Sequence, residues 1–162
     1  MNRIDPAYLR PRLLRRPEES HKGDFGHLLI VAGCQTMPGA AVLATGAAVR
    51  SGCGLVTLHS TSRALQAVVS RFPSAMLSEE SGEAFSRVPV PMDRYTAIAV
   101  GPGLGRRPET EDALLMLLKV ARDRRVPMVL DADALNILSE VPDWQACLPA
   151  GAVLTPHLGE LN

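Results

Sequence analysis

An apolar, β-branched run, His27-Leu28-Leu29-Ile30-Val31-Ala32, is closed by Gly33 and followed by Pro38-Gly39 and an alanine-rich segment that reaches Gly52. No other feature limits the fold of this chain as strongly. A second apolar run, Leu55-Val56-Thr57-Leu58, comes at once. By length and punctuation this is strand, glycine turn, helix, strand. The helix is poor in side-chain bulk, with Ala40, Ala41, Ala44, Gly46, Ala47 and Ala48, so its backbone can lie close to a sheet, as a parallel crossover demands. Pro38 suits the first helical turn, where its missing N–H has no intrahelical partner. The N–H groups of Gly39, Ala40 and Ala41 are then expected to point past the end of the first strand, where the helix dipole favours an anionic or strongly polar guest.

The same alternation returns later in the chain. Thr96 to Val100 reads as a strand that runs into Gly101-Pro102-Gly103-Leu104-Gly105. Pro108, Glu109, Glu111 and Asp112 open a long helix and Lys119, Arg122, Arg124 and Arg125 close it, a charge order that suits the macrodipole at both ends. Met128-Val129-Leu130 is the next strand and ends in Asp131-Ala132-Asp133, from which a helix runs to about Ser139. Ala152 to Leu154 is the last strand, and Gly159-Glu160-Leu161-Asn162 reads as the first turn of a further helix. Between the two halves, Thr61 to Val69 reads as a capped amphipathic helix, Ala75 to Leu77 as a short strand, and residues 78–94 as a surface excursion. Residues 1–20 form a proline- and arginine-rich lead-in with at most one short helix, and residues 21–162 form one domain. The expected class is α/β with a mostly parallel sheet.

Composition narrows the partners. With 162 residues, 46% apolar, 21% charged and zero formal net charge, the chain suits one globular domain with a real core, and neither a nucleic-acid footprint nor a membrane-surface patch is indicated. The cluster Arg10, Arg12, Arg15 and Arg16 reads as a solvated lead-in. No window approaches the roughly 18 apolar residues of a transmembrane helix, and the N-terminus lacks a signal-like apolar stretch, so a cytoplasmic protein is expected. Cys34, Cys53 and Cys147, odd in number and widely spaced, fit reduced thiols.

In an open parallel sheet, ligands bind at the carboxyl ends of the strands. This chain places there Gly33-Cys34-Gln35 with Pro38-Gly39, then His59-Ser60, Gly101 to Gly105, Asp131 with Asp133, and His157 with Glu160. Turns entering the strands, such as Arg124-Arg125-Val126-Pro127, carry no comparable chemistry. A small-molecule site along that one edge is the expectation. Asp131 is the better polar contact, Asp133 serves equally well as a helix N-cap, and His157 sits in an exposed turn that suits binding. There is no G-x-G-x-x-G, Walker A, G-x-S-x-G or zinc-ligand spacing.

Several ordered motifs together resemble the ADP-dependent NAD(P)H-hydrate dehydratases, a ribokinase-like family. They are His21 to His27, Gly33 with Met37 to Ala41, Arg50 to Val56, Gly101 to Gly105, Asp131 to Asn136, and Thr155-Pro156-His157 with Gly159-Glu160. The resemblance implies a three-layer α/β/α domain that repairs hydrated NADH or NADPH: the ring hydroxyl is phosphorylated from ADP or ATP with Mg²⁺, and phosphate is then lost. It places Gly39, Ala40, Ala41, Gly103, Gly105, Asp131, Asn136 and His157 around the hydrated dinucleotide, and a homo-oligomer is the expected assembly. Cys34 stands where the family usually has serine. The family's glycine-threonine-glycine-aspartate motif, which carries the catalytic base, does not occur in these 162 residues, so the base is expected beyond Asn162. The expectation is therefore an amino-terminal portion of the domain, truncated on its C-terminal side and inactive alone. A ribokinase-like kinase of a vitamin-precursor alcohol and a non-catalytic nucleotide-binding module are the competing readings.

Overall fold

Apolar runs flanked by glycine and proline become the strands of one parallel sheet in the computed structural model, which describes residues 4–13 and 15–160. Among the described residues these are β1 (His27–Val31), β2 (Leu55–Thr61), β3 (Met76–Glu80), β4 (Ala97–Val100), β5 (Met128–Leu130) and β6 (Val153–Leu154), in the spatial order β3-β2-β1-β4-β5-β6. Every neighbouring pair is parallel, with Leu29 beside Thr57 on one side and Ile98 on the other.

Helix α1 (Pro6–Leu9) precedes the sheet, and the helices between strands are α2 (Pro38–Arg50), α3 (Ser62–Val69), α4 (Pro108–Arg124) and α5 (Asp133–Leu138). Side chains alternate across each strand, so each face of the sheet has its own core. Leu29, Val31, Ile98, Val100, Met128 and Leu130 meet Leu114, Leu117, Leu118 and Leu138 from α4 and α5. Ile30, Val56 and Leu58 meet Ala41, Ala48, Ala64, Leu65 and Val68 from α2 and α3. The second core stops at β1. Beyond it the same face of β4, β5 and β6 carries Ala99, Val129 and Val153, the last two exposed, and Leu43 of α2 projects beside them.

As expected, α2 begins on Pro38, and α4 carries Glu109 and Glu111 in its first turn and Arg122 and Arg124 in its last. Three expectations need correction. Strand β2 continues through His59, Ser60 and Thr61, all buried, so these residues belong to the sheet interior and not to a loop beyond it. Their polar groups find partners there: the Ser60 hydroxyl donates to the Ala32 carbonyl at 2.7 Å, and His59 lies against Ser78 and Glu80. The cap at Thr61 is absent; its hydroxyl is buried without a partner. The excursion at 78–94 is only in part a surface one: β3 extends to Glu80, and although most of 81–94 is exposed, Ala84 is buried and Phe85 and Met92 anchor the stretch in the α4-side core.

The two ends of the chain are described in part. The lead-in is tied down at Arg16, which donates to the Gly52 carbonyl at 2.6 Å and stacks over Phe25. At the other end Leu158–Glu160 form a single 3₁₀ turn where the sequence predicts the opening of a helix. Leu161 and Asn162 lie outside the described residues, and with them the continuation of that turn and the expected limit of the domain at Asn162.

Candidate functional site

From β1 the chain winds outward to β2 and β3, then crosses back and winds the other way through β4, β5 and β6. The reversal lies between β1 and β4, and a crevice at the carboxyl ends of such a pair is where open α/β sheets take ligands. The loops leaving these strands interlock here. Gly33 N–H donates to the Pro102 carbonyl at 2.8 Å, and Gly101 N–H to the Val31 carbonyl at 3.2 Å. Gly103 has φ of 66°, and a Cβ on it would stand 2.6 Å from the Cβ of Ala40 and 3.2 Å from the Met37 carbonyl oxygen. Only glycine allows this turn to seat on the start of α2. The Gly101 backbone lies equally close to the loop after β5, since a Cβ there would fall 1.8 Å from the Asp131 carbonyl oxygen.

Behind that contact the chain is strained. Ala132 takes φ 49° and ψ −121°, which turns the backbone sharply between Asp131 and α5. Strain of this kind, worth about 1–3 kcal/mol, persists only where neighbours enforce it. Here Ala134 N–H donates to the Asp131 carbonyl at 3.1 Å. Both carboxylates of the segment are engaged. Asp131 Oδ1 accepts the Thr155 hydroxyl at 2.8 Å, which links the ends of β5 and β6. Asp133 is the first residue of α5 rather than its N-cap, and its Oδ2 accepts the Gly105 N–H at 2.9 Å, which pins the end of the glycine turn.

The expected site residues thus lie along one edge. Gly39 is exposed and Ala40 half-buried at the start of α2, while Ala41 is fully buried against Gly33. The N–H of Ala40 turns back to the Met37 carbonyl at 3.3 Å and is not free. Gly103 is buried under α2, Gly105 and Asp131 are half-buried, and Asn136 is half-buried one turn into α5. Below them an apolar groove of about 540 Å³ runs down the sheet between α2 and Val129, with Pro102, Asp131 and Thr155 at its mouth. Among the described residues no three His, Cys, Asp or Glu side chains converge as a metal cage.

His157 leaves the end of β6 on the same edge, exposed, with its ring committed to its own turn. Gly159 N–H donates to Nδ1 at 3.0 Å, Nε2 lies 3.2 Å from Glu160 Oε1, and the His157 N–H donates to Glu160 Oε2 at 3.0 Å. With Nδ1 accepting, the neutral ring carries its proton on Nε2, facing the carboxylate. The same arrangement occurs at His21, where Gly23 N–H donates to Nδ1 at 3.1 Å and Asp24 closes a capping box. His-x-Gly-acid is therefore a local cap used twice, once at each edge. The His21 to Gly26 loop packs against Gly54, whose absent Cβ would fall 1.8 Å from the Lys22 carbonyl oxygen, and Leu55 N–H donates to the Gly26 carbonyl at 3.0 Å. Two of the sequence motifs, His21 to His27 and Arg50 to Val56, thus build the amino edge of the sheet, away from the crevice.

Sequence reasoning missed three contributors to the carboxyl edge: Ala132, the Thr155 hydroxyl, and the loop after β3. In that loop Glu83 accepts the Gln35 N–H on its carbonyl at 2.9 Å and pairs through its carboxylate with Arg107 at 2.7 Å. The loop is rooted in the His59–Glu80 pair. Burial holds the His59 imidazole below its ordinary pKa of 6.5, an effect that Glu80 partly offsets and Arg87 reinforces. Burial alone would raise the Glu80 carboxyl, but hydrogen bonds from Ser86, the nearby His59 and the Ser81 N–H outweigh it and hold the pKa below the usual 4.5.

A family profile described as NAD(P)H-hydrate dehydratase matches residues 28–162. The bifunctional NAD(P)H-hydrate repair enzyme Nnr of Coxiella burnetii is 35% identical over 94% of this chain, which spans 29% of that protein. The ADP-dependent (S)-NAD(P)H-hydrate dehydratase of Listeria monocytogenes is 31% identical over 99% of this chain, which spans 56% of it. In three dimensions the chain superposes with a TM-score of 0.77 on the ADP/ATP-dependent NAD(P)H-hydrate dehydratase of Bacillus subtilis, crystallised with ATP and Mg²⁺, at 33% identity over 96% of this chain and 52% of that one. A ribokinase-like protein of Enterococcus faecalis follows at 26% identity and a TM-score of 0.74. The chain spans between about a quarter and just over half of the length of the relatives it matches. Fold, motif order and matched span agree: the chain belongs to the NAD(P)H-hydrate dehydratase family.

Proposed function

We propose that this chain grips hydrated NADH or NADPH and forms the dinucleotide-holding part of an ADP- or ATP-dependent repair enzyme. The observation that carries the reading is the seating of the Gly103 turn on the start of α2 at the point where the sheet reverses its winding. There the positive end of the α2 dipole faces the crevice, a polarity that suits the phosphates of a dinucleotide. Asp133 fixes the Gly105 turn, and Thr155 fixes Asp131 at the rim. The apolar groove below offers a flat ring system a face to lie on.

Repair needs the added ring hydroxyl to take a phosphoryl group. The C–O bond then breaks with phosphate keeping the electron pair, and a proton leaves the neighbouring ring carbon to restore the double bond. ADP or ATP supplies the phosphoryl group, and Mg²⁺ neutralises its charge. Among the described residues no three His, Cys, Asp or Glu side chains converge to hold the ion. We assign the nucleotide donors and the base to the part of the relatives' length that this chain does not span, past the position of Asn162.

The test is calorimetric titration of the chain with hydrated NADH, followed by addition of ADP and Mg²⁺ while NADH absorbance is monitored. Binding without recovery of absorbance is expected. Failure to bind overturns the reading, and recovery at an ADP-dependent rate overturns the division of labour.

A further inference from the structure

We infer that the buried carboxylate of Glu80 is a positioning residue for the dinucleotide site, cinching the Glu80–Arg87 loop so that it holds the Gly33–Met37 loop against the Gly103 turn. The inference rests on the dinucleotide reading above.

The Glu80 side chain is wholly buried, yet its two oxygens are ringed by donors. Oε1 accepts the Ser81 N–H and the Ser86 hydroxyl, each at 3.0 Å, and lies 3.6 Å from Arg87 Nε. Oε2 accepts the Ser86 N–H at 3.0 Å and faces His59 Nε2 at 3.3 Å. His59 in turn reaches the Ser78 hydroxyl through Nδ1 at 3.0 Å, and the Phe85 ring meets it edge-on at 5.8 Å. Burying a carboxylate is costly unless donors surround it, and an apolar side chain would stabilise a loop at less risk. What the charge adds is a fixed shape, because donors from β2, from Ser81 and from Ser86 with Arg87 must converge on one point.

That shape has an output. Between the two ends of the cinched loop, the Glu83 carbonyl takes the Gln35 N–H and the Glu83 carboxylate takes Arg107, so one residue spans the loop after β1 and the turn before α4. Arg63 holds Gln35 from the other side, donating to its carbonyl at 3.3 Å. Gln35 lies two residues before Met37, whose carbonyl oxygen sits 3.2 Å from the position of a Cβ on Gly103. A shift of the loop at Glu83 therefore moves the start of α2 relative to the glycine turn. Small misplacements of positioning groups are expensive for binding and catalysis.

The test compares Glu80→Gln, Ser86→Ala and Arg107→Ala with the parent chain. The readouts are affinity for hydrated NADH, hydrogen exchange at the Gln35 N–H, and thermal unfolding. For E80Q we expect affinity to fall about tenfold and Gln35 exchange to quicken about tenfold, the scale of one lost charge-assisted hydrogen bond. Arg107→Ala leaves the buried carboxylate intact and cuts only the outer anchor, so both effects should persist at about two- to fivefold, as for an exposed ion pair. A purely structural role would lower the melting temperature in E80Q with affinity and Gln35 protection unchanged, and that result overturns the inference. Should E80Q fail to fold, S86A and R107A decide: weakened binding with faster Gln35 exchange supports the inference, and parent-like values overturn it. A parent chain that ignores hydrated NADH sinks the dinucleotide reading, while the Gln35 exchange rates still test the cinch itself.

Discussion

Glycine at position 103 and alanine at position 132 do opposite kinds of work, and substitution separates them. At Gly103 a left-handed backbone costs an alanine about 1–2 kcal/mol, and overlap with Ala40 adds about 1–3 kcal/mol more. Gly105 has a similar φ of 78° but open space around it, so Gly105→Ala should cost only about 1 kcal/mol. Urea unfolding of the two variants should show Gly103→Ala clearly the more damaging, and equal midpoints would contradict the seating described. Ala132 carries strain without any steric need for its methyl, so Ala132→Gly should gain about 1 kcal/mol despite the usual entropic penalty of glycine. The same denaturation series measures it, and a loss of stability would mean the turn is unstrained. Gly103 was legible in the sequence because glycine is the default answer to a tight turn. Ala132 was not, since nothing about an alanine announces a positive φ. The histidines show what sequence leaves out: the exposed His157 ring already meets Gly159 and Glu160 of its own turn, as the His21 ring meets Gly23 and Asp24.

Among the elements, β2 and its partner β3 show why polar residues confuse a reading by periodicity. His59, Ser60 and Thr61 look like a loop, but a buried strand tolerates them when neighbouring groups supply hydrogen bonds, and the decisive partner, Glu80, lies 21 positions further on. Local pattern cannot see that pairing. It can see α4, whose proline start and charge order are local facts, and that helix runs from Pro108 to Arg124 as its sequence demands. The β2–β3 pair also fixes a pH dependence. The folded site resists protonation of His59, whereas the unfolded chain takes up that proton near 6.5, so the unfolded state binds more protons and stability falls as pH drops below 6.5. Glu80, held below 4.5 when folded, adds a second loss in the same direction as pH falls further. Urea midpoints measured from pH 7.5 down to about 3.5 should therefore decline in two stages, and Glu80→Gln should remove much of the lower one. A flat profile over that range would contradict the buried pair.

Over the whole molecule, the class, the parallel sheet and the grouping of chemistry on one edge were legible because each strand is punctuated by its own glycine or proline. The strand order was not, because the crossing from β3 back to β4 runs through 81–96, a stretch with neither period. The reversal it creates places the crevice between β1 and β4, and among the described residues Val129 and Val153 are exposed on the α2-side face of the sheet. Motifs that look alike in sequence are sorted by this topology into an amino edge, built by His21 to Gly26 with Gly54, and a carboxyl edge, built by Gly39, Gly103, Asp131 and His157. A dinucleotide held at the crevice must respect that division. Amide NMR shifts recorded while hydrated NADH is titrated into the chain test it directly. Changes at Gly39 to Ala41, Gly103, Gly105, Asp131 and His157, with His21 to Gly26 and Gly54 unmoved, are the predicted result. Changes centred on His21 to Gly26, or none at the carboxyl edge, would contradict it.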